Sequence, residues 1–313
     1  MMQALAAYVM RGRIQAILMA AGLLLLALLL IPLSWPLSFF SGGVVGLVTL
    51  HRGAPAGLSV LAGGGLFLLL LGLLLPGNLY AVTGFALLAW LPVWLLALSL
   101  RRGVSLSLTL LLGFLLGALL VGGFFLATGD PAVWWFSHFT HEVLPMLEKA
   151  GVVFEDKPRL EAELQRLSRL MTGSLAAVVL LGSIAGLFVA RNWQAALYNP
   201  GGFRAEFHAL RFGVTAALLA LALLAAGLVS DAALLLNLLP LIVVLFLFQG
   251  LAIVHALIRR RGLGSAWLSG LYILLVFGLP YSPSLLALLG LADNWLDLRG
   301  RFGGPAGGNA AGT

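Results

Sequence analysis

Histidines and carboxylates close together on one helix are the first candidates for chemistry, and the chain has one such group. His138, His141 and Glu142 are spaced by three and four residues. That spacing puts them on neighbouring faces of one helical turn, where they could share a metal ion. The order is not that of a zincin helix, which needs two histidines four apart with a glutamate after the first. The plainer reading is polar decoration of an interfacial helix, so no metal is expected. A second group, Asn237, Gln249 and His255, is embedded in an apolar run. Polar side chains inside a membrane span are costly and face the bundle interior, which makes these three candidate substrate-binding residues. Gln249 leads them, because at its depth an unpaired amide is expensive. Hydrogen bonding between helices is the commoner use of Asn and Gln in bundles and stays open as the alternative. No Asp or Glu falls in mid-membrane, which argues against a carboxylate proton relay. The absence of cysteine excludes disulfides, thiolate metal sites and thiol catalysis. No paired acids and no nucleophile with its base stand together, so neither enzyme activity nor a cofactor is expected.

Composition decides which elements must hold these residues. Charged residues make up 9% and apolar ones 61%, against roughly 25% charged in a soluble domain. In water such a chain could not cover its surface. In lipid the balance is natural, since each Asp, Lys or Arg at a helix centre costs about 2.5 to 3.5 kcal/mol. The expectation is an all-α protein, a polytopic transmembrane helix bundle of about ten spans. They are read at 14–33, 37–50, 57–75, 79–100, 104–127, 172–190, 212–229, 232–257, 262–279 and 284–299. Residues 37–50 are short for a hydrocarbon core of about 30 Å, and a span there needs shielding by neighbours. Pro76-Gly77-Asn78 and Pro280-Tyr281-Ser282-Pro283 read as turns.

Most of the 11 acidic residues fall between Asp130 and Glu163. Asp130 and Pro131 form a good helix start. Trp135, Phe139, Val143 and Leu147 then recur every four residues, one helix face. Gly151 closes that helix, and Leu160, Leu164, Leu167 and Met171 mark a second. An external amphipathic helical hairpin on or near the membrane surface, between spans five and six, is expected. The chain thus divides into a membrane half at 1–127, a cap at 128–171, a second membrane half at 172–300 and a disordered Gly/Ala-rich tail at 301–313. Arg11, Arg13, Arg52, Arg101, Arg102, Arg191, Arg204, Arg211 and Arg259 to Arg261 all fall in alternate loops, with Glu206 as the one acid beside them. The opposite loops carry no Lys or Arg outside the cap. By the positive-inside rule the N-terminus and the arginines are cytoplasmic and 128–171 lies outside. Ten spans return Arg299 and Arg301 to the arginine side; nine would not.

Gly42/Gly46, Gly113/Gly117 and Gly182/Gly186 have the spacing that lets helices approach closely. Gly63-Gly64-Gly65 weakens its helix and marks either close packing or an unwound point. Asn199-Pro200-Gly201-Gly202 is a tight turn that fixes spans six and seven.

Two arginine-side segments carry a family likeness. Asn199-Pro200-Gly201-Gly202-Phe203 with Phe207-His208-Ala209-Leu210-Arg211, followed by Asp293, Trp295, Asp297 and Arg299 at alternate positions, resembles the YybS-like family of bacterial integral membrane proteins of uncharacterised function. A weaker likeness is to the S components of energy-coupling-factor transporters. Those begin with a basic end and an Ala-x-x-x-Ala helix that contacts the coupling subunit; Ala16 and Ala20 match, after Arg11 and Arg13. The resemblance implies a bacterial inner membrane, a membrane or ATPase partner subunit and a small-molecule ligand of unread identity. S components have fewer spans than are read here. The lipid bilayer is the one partner composition demands; nucleic acid is not expected, because the basic residues are dispersed through short loops.

Three functions compete on this footing. A small-molecule-binding transport subunit predicts a closed cavity near the outer face, roofed by the cap. A non-transporting scaffold or regulator, acting through the cap or the inner loop, predicts an exposed apolar face on the Trp135/Phe139/Val143/Leu147 helix. An inverted-repeat transporter would need an internal repeat, and none is visible.

Overall fold

The computed structural model describes residues 2–74 and 79–302, and every described element is a helix. The turn expected at Pro76-Gly77-Asn78 and the tail expected beyond Gly303 lie outside the described residues. Five helices are long and apolar enough to cross a membrane: α4 (Ala54–Leu74), α5 (Leu79–Arg101), α6 (Leu106–Thr128), α9 (Lys157–Tyr198) and α12 (Ala233–Arg260). Shorter apolar helices are α2 (Arg13–Leu29), α11 (Val214–Val229) and α13 (Ala266–Phe277). The remainder are α1 (Met2–Val9), α3 (Ser34–Arg52), α7 (Pro131–His138), α8 (Leu144–Lys149), α10 (Gly202–His208), α14 (Tyr281–Leu296) and α15 (Leu298–Phe302).

The short apolar run at 37–50 belongs to the most enclosed helix of the N-terminal half. α3 begins earlier than the apolar run, with Pro36 in its first turn, where a missing N–H is harmless. Every residue from Ser41 to Leu50 is buried, and α2, α4, α5 and α9 surround it. Its small residues permit this: a Cβ on Gly43 would press on Val189, and one on Gly46 on Ala190. Ser41 spends its hydroxyl inside the bundle, donating to the Ala20 carbonyl (2.7 Å) and accepting from Trp90 Nε1 (2.8 Å). The three glycines of α4 stay helical; Gly63 and Gly64 make room for Ile17 and Trp90.

In the C-terminal half, α12 is the enclosed helix. It crosses α14 at Gly250 and Gly290, where a Cβ on the first would strike the Leu286 carbonyl and one on the second the Phe246 carbonyl. α9 packs against both α3 and α12 and so joins the halves.

Asp130 caps α7 as expected, accepting from Ala132 N–H (2.9 Å). The helical rod then continues to Lys149 through a π turn at Phe139–Val143. Gly151 reverses the chain with φ +89°, and Asp156 caps α9, accepting from Arg159 N–H (3.0 Å). The expected boundary between a second cap helix and a separate span at Thr172 does not occur. α9 is one helix of 42 residues, about 63 Å long and roughly twice a hydrocarbon core. A helix can pass from a charged to an apolar environment without a break, so the change in composition marks no end. Phe124 of α6 packs on Trp134 and Trp135, and Trp135 Nε1 donates to Thr172 Oγ1 (2.9 Å). The Trp135, Phe139, Val143 and Leu147 face is half-buried rather than open.

At the opposite end the arginines gather. Arg52 donates to the Met10 carbonyl, and His51 stacks on Tyr198 with ring centroids 4.2 Å apart. Arg260 Nη1 donates to the Arg299 carbonyl (2.6 Å).

Candidate functional site

Between α10 and α11 the backbone leaves the helix, and its polar groups need partners. Side chains from three other helices supply acceptors. Arg211 N–H donates to Ser107 Oγ (3.4 Å), Phe212 N–H to Gln249 Oε1 (3.1 Å) and Gly213 N–H to Asn294 Oδ1 (3.0 Å). Arg299 supplies the donors. Its Nη1 reaches the His208 carbonyl (2.5 Å) and its Nη2 the Leu210 carbonyl (2.7 Å). Nη2 also meets Asp293 Oδ2 at 2.9 Å. Asp293 is 0% exposed and Arg299 8%, so this charge pair is inside the protein. Arg299 returns to Asp293 because Asp297 turns the chain in the left-handed conformation, φ 44°. Asp293 Oδ1 then accepts from Leu298 N–H (2.8 Å). Arg211 closes the knot on the Asp293 carbonyl and on Asp297 Oδ1 (3.4 Å).

Four of the expected signature residues, His208, Asp293, Asp297 and Arg299, therefore converge here. Trp295 is exposed outside the knot. Asn199, Pro200, Gly201 and Gly202 form the expected turn, with Gly201 at φ +88° and Gly202 N–H donating to the Asn199 carbonyl (3.0 Å). Phe203 packs instead on Phe188 and Phe207. Ser107 and Asn294 carry no sequence signal of their own; each gains its role from a partner about a hundred or eighty residues away. His208 lies beside the pole of positive charge. Its burial, and then His255, Arg204, Arg259 and Arg260, lower its pKa below 6.5.

A cavity of about 690 Å³ adjoins this knot, lined by the end of α3, the α5–α6 turn, α9 and α10. Ser107 lines it as well as serving Arg211. Arg191 is fixed in its wall, donating through Nε to Glu206 Oε2 (2.9 Å) and through Nη1 to Gln194 Oε1 (2.6 Å). Among the described residues Arg101 donates through Nη1 alone, to the carbonyls of Leu50 (2.6 Å) and His51 (2.8 Å). Among the described residues it pairs with no carboxylate. The cavity was expected near the cap; this one is at the arginine end.

The three polar residues of α12 do not form a common site, and none lines this cavity. They are 12 and 6 residues apart, so roughly 18 and 9 Å separate them along the helix. Asn237 is consumed by the backbone of α9. Its Oδ1 accepts from Gly173 N–H (2.7 Å) and its Nδ2 donates to the Arg169 carbonyl (2.8 Å), two groups that a regular helix would pair with each other. Gln249 is the acceptor for Phe212, and its buried Nε2 has no hydrogen-bond partner among the described residues. His255 Nε2 meets the Tyr272 hydroxyl at 3.0 Å. All three have structural partners instead of an open cleft. Ala16 and Ala20, expected to face a coupling subunit, are 1% and 0% exposed. α2 turns them onto its own bundle, where their small size admits α3. His138 pairs with Glu142 (3.2 Å) while His141 Nδ1 lies against the Ser137 carbonyl (2.9 Å). Among the described residues no three metal-ligating groups come together.

No protein-family model, no curated protein and no solved structure matches this chain.

Proposed function

We propose that the chain is a multi-span inner-membrane protein that binds a small molecule in the arginine-end cavity, as a membrane subunit resembling a transporter S component. The observation that carries this is the cavity itself: about 690 Å³, within the range of small-molecule sites, with polar groups anchored around it. Ten helices cross in this arrangement, α2 to α6, α9 and α11 to α14. The hairpin of α7, α8 and the start of α9 lies outside, and the N-terminus and arginine end lie in the cytoplasm. Support comes from the contacts that gather Arg52, Arg101, Arg191, Arg211 and Arg299 at one end while the acidic hairpin meets the other end of α6. Membership of the YybS-like family is part of the proposal and rests on the knot that His208, Asp293, Asp297 and Arg299 share. The scaffold alternative is less supported, because the cap face it would use is half-buried.

Mass spectrometry of the detergent-purified protein tests the binding. A small molecule should copurify with the natural chain and be lost from a variant that fills the cavity, Ala209→Trp, whose backbone is an ordinary right-handed one. A chain that carries no ligand, and whose stability responds to none offered, would contradict it. Copurification of an ATPase would speak for the subunit role, and its absence for the scaffold.

A further inference from the structure

We infer that the cavity ligand carries an oxyanion, a phosphate or carboxylate group, held by the free edge of Arg101; this rests on the binding function proposed above. The cavity's polar groups divide unequally into donors and acceptors. Its side-chain acceptors are in use: both carboxylate oxygens of Glu206 and the Oε1 of Gln194 face Arg191, and the Leu50 and His51 carbonyls near the end of α3 take Arg101 Nη1. Its donors are not. A guanidinium has five N–H groups, and Nη1 accounts for two, each on one α3 carbonyl. The Nε and Nη2 groups of Arg101 make no hydrogen bond among the described residues. They form the fork that matches two oxygens of a carboxylate or phosphate. Arg101 lines the cavity and is exposed, and Gly53 packs beside its guanidinium, where a Cβ would lie 3.6 Å from Nε and 3.7 Å from Nη2.

Two hydroxyls extend the donor set. Ser105 Oγ accepts from Leu108 N–H and Ser107 Oγ accepts from Arg211 N–H. Each oxygen is thus held in place while its own proton remains to be given. Both serines open α6, whose first N–H groups have no partner within the helix and carry its positive end. Two arginines against one glutamate leave the lining at a formal +1. A cationic ligand would add to this positive charge; an oxyanion offsets it and accepts two hydrogen bonds from the one fork. The same chemistry is offered by the headgroup of an anionic lipid and by a soluble phosphate ester.

The thermal midpoint of the full-length protein in neutral detergent, titrated with sodium phosphate against sodium chloride at equal ionic strength, gives the first arm. Nanodiscs of phosphatidylglycerol against phosphatidylcholine give the second. Stabilisation by phosphate identifies a soluble ligand, and stabilisation by phosphatidylglycerol alone a lipid headgroup; either supports the inference. The half-saturating concentration should rise about tenfold or more in Arg101→Gln, a loss on the scale of a charged hydrogen-bond pair. Arg101→Lys keeps a cation to cap α3 but lacks the fork, and should weaken binding about fivefold. Arg102→Gln, outside the lining, should change nothing. Equal responses from the natural chain and the Arg101 variants, or silence in both arms, would overturn the anionic class. A neutral molecule copurifying with an otherwise silent protein would overturn it while leaving the binding function standing.

Discussion

Arg299 does two jobs that ordinarily fall to different residues: it neutralises Asp293 and it satisfies two backbone carbonyls. Removing one partner of a buried charge pair costs about 3 to 5 kcal/mol. Arg299→Met should meet or exceed that range, because it strands the Asp293 carboxylate and the carbonyls of His208 and Leu210 together. Asp293→Asn should cost less, since an amide still accepts from Arg299. Thermal unfolding in detergent would rank them, with exposed Arg301→Met near the natural value; a benign Arg299→Met would contradict the knot. His208 makes a pH-dependent contribution nearby. Its pKa is lowered in the folded protein from 6.5, so below that pH the unfolded chain takes up a proton that the folded chain resists. Stability is therefore complete above about pH 6.5 and is lost as pH falls toward the lower folded value. His208→Gln should flatten this slope in midpoints measured from pH 8 to 5. A variant with the same slope would place the titration elsewhere.

Helix crossings decide whether these residues can meet. Asn294 of α14 reaches Gly213 and Gln249 of α12 reaches the adjacent Phe212, while the two helices touch backbone to backbone at Gly250 and Gly290. Gly290→Ala should destabilise by about 1 to 3 kcal/mol through overpacking. Gly122→Ala, with open space around it, should be neutral or slightly stabilising; equal effects in thermal unfolding would deny the close crossing. Asn237 acts on a third element by bridging Arg169 and Gly173 of α9. Asn237→Leu leaves that donor and acceptor without the amide, and hydrogen exchange around residue 173 should quicken. Unchanged exchange would mean that α9 needs no splint there. Glycine pairs within one helix, such as Gly42/Gly46, were legible in the sequence because their spacing is local. Gly250 and Gly290 were not, since each is alone on its helix and the pair exists only across the bundle. The continuity of α9 was hidden for a different reason: the composition changes at residue 172 while the backbone does not. Asn237 and Gln249 were legible as buried and polar, but their partners, backbone groups of α9 and of the α10–α11 connection, have no sequence signature.

The whole molecule is polarised, with a compact knot of arginines at one end of the bundle and an acidic hairpin at the other. That much was legible from the loops that carry Arg52, Arg101, Arg191, Arg211 and Arg259 to Arg261, because charge is expensive in lipid and has to collect where water is. The position of the cavity was not, since it is assembled from four separated stretches of chain around the α5–α6 turn. The chain contains no cysteine, so single thiols introduced at exposed positions report which side they face. In spheroplasts treated with a membrane-impermeant maleimide, Glu155→Cys in the hairpin should label at once. Arg102→Cys and Arg261→Cys should label only after permeabilisation. Labelling of Arg102→Cys and Glu155→Cys from the same side would contradict the proposed orientation across the membrane, and with it the proposed cytoplasmic opening of the arginine cavity.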